Sequence, residues 1–363
     1  MTVLTPELLA RIRSRAAGYD RDNAFFTEDL DELRDAGYLK PRSLLETARD
    51  QRLLAAYAPA TALAINMHLV WVGVARVLKD RGDASLQWLL DEAEAGELFA
   101  FGNSEQGNDL VLWDSLTTVD TVEGGYAFTG TKIFTSLSPA WTRLGIFGKH
   151  GDQLIHGFIT RDTPGWHAND DWDTLGMRAT QSTSTVLEGA VVPTDRVARI
   201  LPVGPTADPF IFGIFSNFLL LIGSVYAGIA DRALELAVEA VKKRTSLKTG
   251  QTYDKDPDFR WRIADAALAL DALAPQLESL ARDVDELADH GANWFRYLTG
   301  AKHRATETAR YVVDQAMRSA GGGGYRSASE LARLQRDVLA GIYHPSDTES
   351  VHSTVAASIL GPV

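Results

Sequence analysis

His344 stands in the stretch GIYHPSDTES, Gly341 to Ser350, with Asp347 and Glu349 three and five residues beyond it. An imidazole titrates near ~6.5 and so exchanges protons at neutral pH. A carboxylate held against an acidified C–H bond does the same work once burial has raised its pKa. Three further features carry chemical options. Arg244 follows Lys242 and Lys243 at the end of a helical run, where a guanidinium either pairs with phosphate or simply solvates the helix end. Gly321 to Gly324 form an unbroken glycine run, which allows close backbone approach to a ligand or makes a tight connection. His68, in ALAINMHLVW, lies on an apolar helix and reads equally as a core hydrogen-bonding group or as a site residue.

Positioning such groups takes a large scaffold. The chain has 363 residues, of which 45% are hydrophobic, enough for two or three structural units. From Thr5 to about Glu94, apolar residues recur three and four apart, as in LDELRDAGYL and SLQWLLDEAEAG, which is helical spacing. Past Gly96 the pattern becomes short alternating segments, such as TRLGIFGKHGDQLIHGFITRDTPGW, broken by the turn signals Gly-Gly, His-Gly-Asp and Pro-Gly. Beyond Asp208 long helical periodicity returns. The expected organisation is an amino-terminal helical domain over residues 1–95, a middle β-barrel or sandwich domain over 96–208, and a carboxyl-terminal four-helix bundle over 209–363.

Composition excludes several classes. There is no cysteine, hence no disulfide scaffold, iron–sulfur cluster or cysteine nucleophile. A formal charge of -12 without a basic stripe opposes nucleic-acid binding. Charged residues run through the first twenty positions, unlike a signal core. The apolar run Phe210 to Ala230 contains Ser216, Asn217 and Ser224, which favours a helix buried in a bundle over a membrane span. The expected protein is cytoplasmic, with no membrane, nucleic-acid or metal partner.

Several strings, in this order along almost the whole chain, resemble the acyl-CoA dehydrogenase family of flavoproteins. GELFAFGNSEQG is similar to the segment that usually ends Thr-Glu-Pro-x-x-Gly, YAFTGTKIFTS to its Gly-x-Lys-x-x-x-Thr strand, and LGMRATQSTSTVLEGAVVPTDRV to its Leu-Gly-x-Arg segment. AVEAVKKRTSL resembles the helix ending Arg-x-x-Phe, and AGGGGYRSASELARLQRD the Gly-Gly-x-Gly-Tyr turn followed by Arg-Asp. The resemblance implies a tetramer or dimer with flavin wedged between the β domain and the bundle. It puts Phe101, Asn103 and Ser104 along the flavin ring, Phe134 as the ring-packing aromatic, and Ser136 as the hydroxyl near flavin N5. Arg244 falls on the phosphate or ribose arginine, Leu247 on the adenine-packing phenylalanine, and Gly321 and Gly322 on the close-approach turn. FAD is the first expectation, with FMN open because leucine stands at 247.

Most members of the family remove an α proton from an acyl thioester with the glutamate of a Tyr-Glu-Gly-Thr segment, and His344 falls there. The other known base position, at Asn217-Phe218, also lacks an acid. The expectation drawn from this gap is the family's monooxygenase branch, which takes reduced flavin from a separate reductase and uses oxygen. In that reading His344, His68 and Ser136 surround the reactive edge of the flavin and a small molecule is hydroxylated. Two alternatives stand beside it: a dehydrogenase whose base is moved to Asp347, Glu349 or His344 itself, and a base-less subunit that partners a homologous active chain.

Overall fold

The computed structural model describes residues 2–361. Five helices lead: α1 (Pro6–Asp22), α2 (Thr27–Asp35), α3 (Leu44–Ala55), α4 (Pro59–Asp80) and α5 (Gln87–Glu94). The bundle region contributes α6 (Pro209–Lys243), α7 (Pro257–Asp271), α8 (Leu273–Asp285), α9 (Asn293–Ala320), α10 (Glu330–Val338) and α11 (Thr348–Leu360). Proline opens α1, α4, α6 and α7, where its fixed φ suits the first turn and its missing N–H is one the helix leaves free anyway. Thr5, Asp208 and Asp256 cap α1, α6 and α7 by accepting from backbone N–H groups of the first turn, each cap contributing about 1 kcal/mol. Helices α4 and α6 are apolar on nearly every side and long enough to span a bilayer, yet both bury that surface inside the fold.

Eight strands lie between the helical regions: β1 (Phe99–Gly102), β2 (Thr118–Val122), β3 (Gly125–Thr135), β4 (Arg143–His150), β5 (Gln153–Thr160), β6 (Trp166–Ala168), β7 (Thr183–Pro193) and β8 (Val197–Pro202). They form one sheet in the order β6-β7-β3-β2-β4-β5-β8, with β1 added in parallel to β4. The β2–β3 and β4–β5 hairpins close on two-residue turns that contain Gly124 and Gly151, both at positive φ, the conformation that such turns demand. Helix α4 meets the sheet through Trp71. Its indole fills the space over Gly145, where a Cβ would lie 2.5 Å from the ring, and its Nε1–H donates to Ala100 O at 2.9 Å. That bond ties β1 to the first helical unit.

The three units meet along one seam. Gly176 packs against the Arg336 carbonyl so closely that a Cβ would sit 2.4 Å away. Asp337 accepts from Met177 N at 2.6 Å, Arg178 Nε donates to Asp20 O at 2.9 Å, Asn23 Nδ2 donates to Trp172 O at 2.6 Å, and Arg336 pairs with Asp20. Asn217 and Phe218, which by resemblance fall on a base position just before the first bundle helix, do not precede it. They lie inside α6, where Asn217 Nδ2 donates to Gly213 O at 2.8 Å, because the apolar period runs unbroken from Phe210.

Inside the sheet is an ion pair that no periodicity announces. Lys132 Nζ and Glu105 Oε1 are 2.6 Å apart and both side chains are buried. Glu105 also accepts from Ser115 Oγ, Thr117 Oγ1, Thr117 N, Leu116 N and Asn108 Nδ2. Burial alone would raise its pKa, but Lys132 and these donors outweigh burial and hold the carboxyl at about 2. Nearby, His156 of β5 is wholly buried between the rings of Phe147 and Phe210, and neither ring nitrogen has a protein partner. Burial, with Lys132 adding to it, pushes its pKa down to about 3.

His156 yields a test. Its neutral state is retained in the native chain while the unfolded chain protonates it near pH 6.5, so this contribution is complete above pH 6.5 and declines as pH falls towards 3, at about 1.4 kcal/mol per pH unit. His156→Leu, close in volume and without polar atoms, is expected to be stabilising by about 1–2 kcal/mol at pH 7 and to flatten the acid limb of stability. Urea unfolding at pH 7 and pH 5 checks both, and a variant less stable at both values would refute it.

Candidate functional site

The expected flavin-ring residues come from two strand ends held side by side. Phe101, Asn103 and Ser104 leave β1, while Phe134 and Ser136 leave β3; Ile133 N donates to Ser104 O at 2.9 Å and joins the two. Phe101 packs on Trp71 and stacks on Phe218 of α6 with ring centroids 6.1 Å apart. Asn103 is 2% exposed, yet neither atom of its amide has a partner, and an unpaired buried amide costs on the order of 1–3 kcal/mol. Phe134 is 55% exposed with φ +58, a left-handed conformation that a bulky residue rarely adopts. Its ring meets Trp172 edge-on. Ser136 Oγ lies 2.7 Å from Ser182 Oγ and is buried.

A second cluster joins the ends of α6 and α9. Arg244 Nη1 donates to Ser319 O at 2.7 Å, the guanidinium lies over Tyr253, and it closes against Gly321, whose φ of +63 favours glycine. Gly322 has open space where a Cβ would stand. Leu247 is fully exposed and packs on nothing within its own chain.

A third cluster surrounds the loop between α10 and α11. His344 is half-buried, with its Nε2 sealed from solvent and without a partner. Its ring centroid is 5.8 Å from that of Tyr226 on α6, whose buried hydroxyl also lacks a partner. Burial first, and Lys302 second, push the imidazole down to about 3, so it is neutral at physiological pH. Lys302 of α9 is 2% exposed and donates to the carbonyls of Gly341 at 3.2 Å, His344 at 2.8 Å and Ser346 at 2.9 Å. Burial lowers its pKa to about 8 against the opposing charges of Asp347 and Glu307. Neither Lys302 nor Tyr226 is among the residues that sequence reasoning selects. Lys302 sits in an ordinary amphipathic helix pattern, and its carbonyl partners are 39 to 44 residues away.

The acids near this loop are otherwise engaged. Asp347 caps α11 by accepting from Ser350 N and Oγ, and those bonds hold its carboxyl below the usual range. Glu349 is exposed in the first turn of α11. Asp337 is raised by burial to about 6 against the pull of Arg333, but it is taken up by Met177 N at the seam. His68 is a correction: it lies wholly within the core, Nε2 bonded to Leu39 O at 2.8 Å and Nδ1 accepting from Phe99 N at 3.1 Å. Both nitrogens are occupied, and burial lowers its pKa to about 4, so it has nothing to offer a ligand.

The residues present fit a flavin. The buried Asn103 amide has no partner, Phe134 is exposed, and Gly321 closes against Arg244 while Gly322 next to it has open space that a side chain would fill.

Residues 220–346 match the family model described as "Acyl-CoA dehydrogenase, C-terminal domain". The chain is 27% identical over 369 residues to the "Putative acyl-CoA dehydrogenase YdbM" of Bacillus subtilis (strain 168), covering 94% of this chain and 92% of that protein. It is 30% identical over 243 residues to the amino sugar nitrososynthase DnmZ of Streptomyces peucetius, covering 63% of this chain and 58% of that protein. Among solved structures, KijD3 in complex with FMN and dTDP-3-amino-2,3,6-trideoxy-4-keto-3-methyl-D-glucose superimposes with a TM-score of 0.84 at 26% identity, over 98% of this chain and 91% of that one. These relatives are named as dehydrogenases and nitrososynthases. They overturn the monooxygenase expectation; the occupied nitrogens of His68 remove one member of the residue set on which it rested. By fold, by the order of its motifs and by these matches, the chain belongs to the acyl-CoA dehydrogenase superfamily.

Proposed function

We propose that the protein is a flavin-dependent dehydrogenase of a small acyl thioester, in which the neutral imidazole of His344 takes the proton that a carboxylate takes in most of the superfamily. The observation carrying this reading is the buried, partnerless Nε2 of His344 on a loop whose neighbouring acids, Asp347 and Glu349, are engaged or exposed. The cofactor is a flavin, FAD or FMN; when bound it supplies the hydride acceptor. Asn103, Ser104, Phe134 and Ser136 would hold its ring, and Arg244 with Gly321 and Gly322 its phosphate end, in an assembly of two or four chains.

An acceptor must begin without its proton, and burial beside Lys302 keeps the imidazole in that state. Proton transfer then leaves negative charge on the thioester as positive charge appears on the ring. The two charges attract strongly in a site from which water is excluded. The low proton affinity of the empty site is thereby offset when substrate is present, because an opposite charge favours the ionised imidazole.

The test is anaerobic mixing of the flavin-loaded protein with a panel of short- to long-chain acyl-CoA thioesters. Bleaching of the oxidised flavin by at least one of them is the expected result. A second reading, a base-less partner subunit, draws on the absence of a free carboxylate at the loop. It is favoured if no thioester bleaches the flavin and purification from the native cell brings down a homologous chain with glutamate at the position of His344.

A further inference from the structure

We infer that Lys302 is the positioning residue of the His344 loop, holding residues 341–346 through their carbonyls. This rests on the reading of His344 as proton acceptor. The geometry is specific. An ammonium has three N–H bonds, and here they are directed to the carbonyls of Gly341, His344 and Ser346, which satisfies a buried cation without a carboxylate partner in contact. The carbonyls bracket His344 on both sides, so a shift of the loop by one residue would pull it off this set of bonds. Nothing of Lys302 is left over for a ligand; its effect on the reaction passes through the loop and through its charge.

The charged and titratable groups around this centre are few. On α9 they are Lys302 itself, His303, Arg304 and Glu307; at the start of α11, Asp347, and further along it His352, which meets His303; on α6, Tyr226; and on α10, Asp337, whose charge acts on Tyr226. Asp347 and Glu307 favour the ammonium, and the ammonium in turn disfavours a second positive charge on His344. Removing the Lys302 charge therefore has a defined direction: the imidazole binds protons more readily, and the loop loses its fastening.

Lys302→Met keeps the length of the side chain and removes the ammonium. The expected results are a fall in kcat of about a hundredfold with KM and flavin affinity little changed, faster amide exchange confined to residues 341–346, and an NMR titration of His344 moved upward. The chain contains no cysteine, so Lys302→Cys alkylated with 2-bromoethylamine in denaturant and refolded restores an ammonium at this position alone. That protein is expected to recover the wild-type His344 titration and loop protection, which a merely destabilised fold would not do. Unchanged His344 titration and loop exchange in a folded Lys302→Met protein overturn the proposal. If instead His344→Ala turns over normally, the proton-acceptor reading fails while the loop and titration results for Lys302 still stand or fall by themselves.

Discussion

His344→Ala is expected to lower turnover by about 10²–10⁴-fold, the range a positioned proton-transfer group supplies, while flavin affinity stays near that of the unaltered protein. The separation follows from the layout. His344 contacts Tyr226 and is fastened by Lys302, whereas Asn103 and Phe134 lie at the strand ends and Arg244 and Gly321 at the far ends of α6 and α9. A sharper comparison is His344→Glu. It returns a carboxylate to the position, beside an ammonium that favours the ionised form, and is expected to retain activity that His344→Gln, of similar reach but without useful basicity, does not. Stopped-flow bleaching of the flavin by the best thioester measures all three variants. Equal rates for His344→Ala and the parent protein would make the histidine a packing residue.

The second large effect concerns stability. Removing one partner of the Glu105–Lys132 pair, as in Glu105→Ala or Lys132→Met, leaves a buried uncompensated charge or its orphaned donors and is expected to cost about 3–5 kcal/mol. In urea this appears as a lower midpoint at unchanged slope. The double variant Glu105→Leu with Lys132→Met is expected to be less damaging than the sum of the two single changes, because neither charge then remains. The pH dependence has a fixed sign. Glu105 is held at about 2, below its unfolded value near 4.5, so its stabilisation is present above pH 4.5 and is lost as pH falls towards 2. An acid-unfolding curve unaffected by Lys132→Met would contradict the assignment.

Most of the architecture is legible in the residue pattern because it rests on local periodicity: three-and-four spacing for the helices, alternation between Gly-Gly and His-Gly-Asp turns for the sheet, and prolines where helices begin. What periodicity cannot supply is which buried polar groups meet across the fold. Glu105 and Lys132 are 27 residues apart, Lys302 and Ser346 are 44 apart, and His68 meets Leu39 and Phe99 at separations of 29 and 31. His68 was a fair candidate by type, and its role changed once two backbone partners came within reach. Asn217 falls by resemblance on a position that precedes the first bundle helix, but it lies inside α6, where its amide turns back on its own helix. The loop position of His344 was readable from its motif context; the fastening beneath it was not.

The seam at Gly176 has a consequence for how the molecule can be divided. Backbone lies directly on backbone there, and the adjoining bonds from Asp20, Asn23 and Asp337 link residues more than 140 positions apart. A protease cut, a split-protein reporter or a fragment expressed as a stand-alone third would each expose main-chain groups that another third normally covers. The chain is therefore expected to melt in one transition, and complementation by separately produced pieces would require co-folding rather than docking.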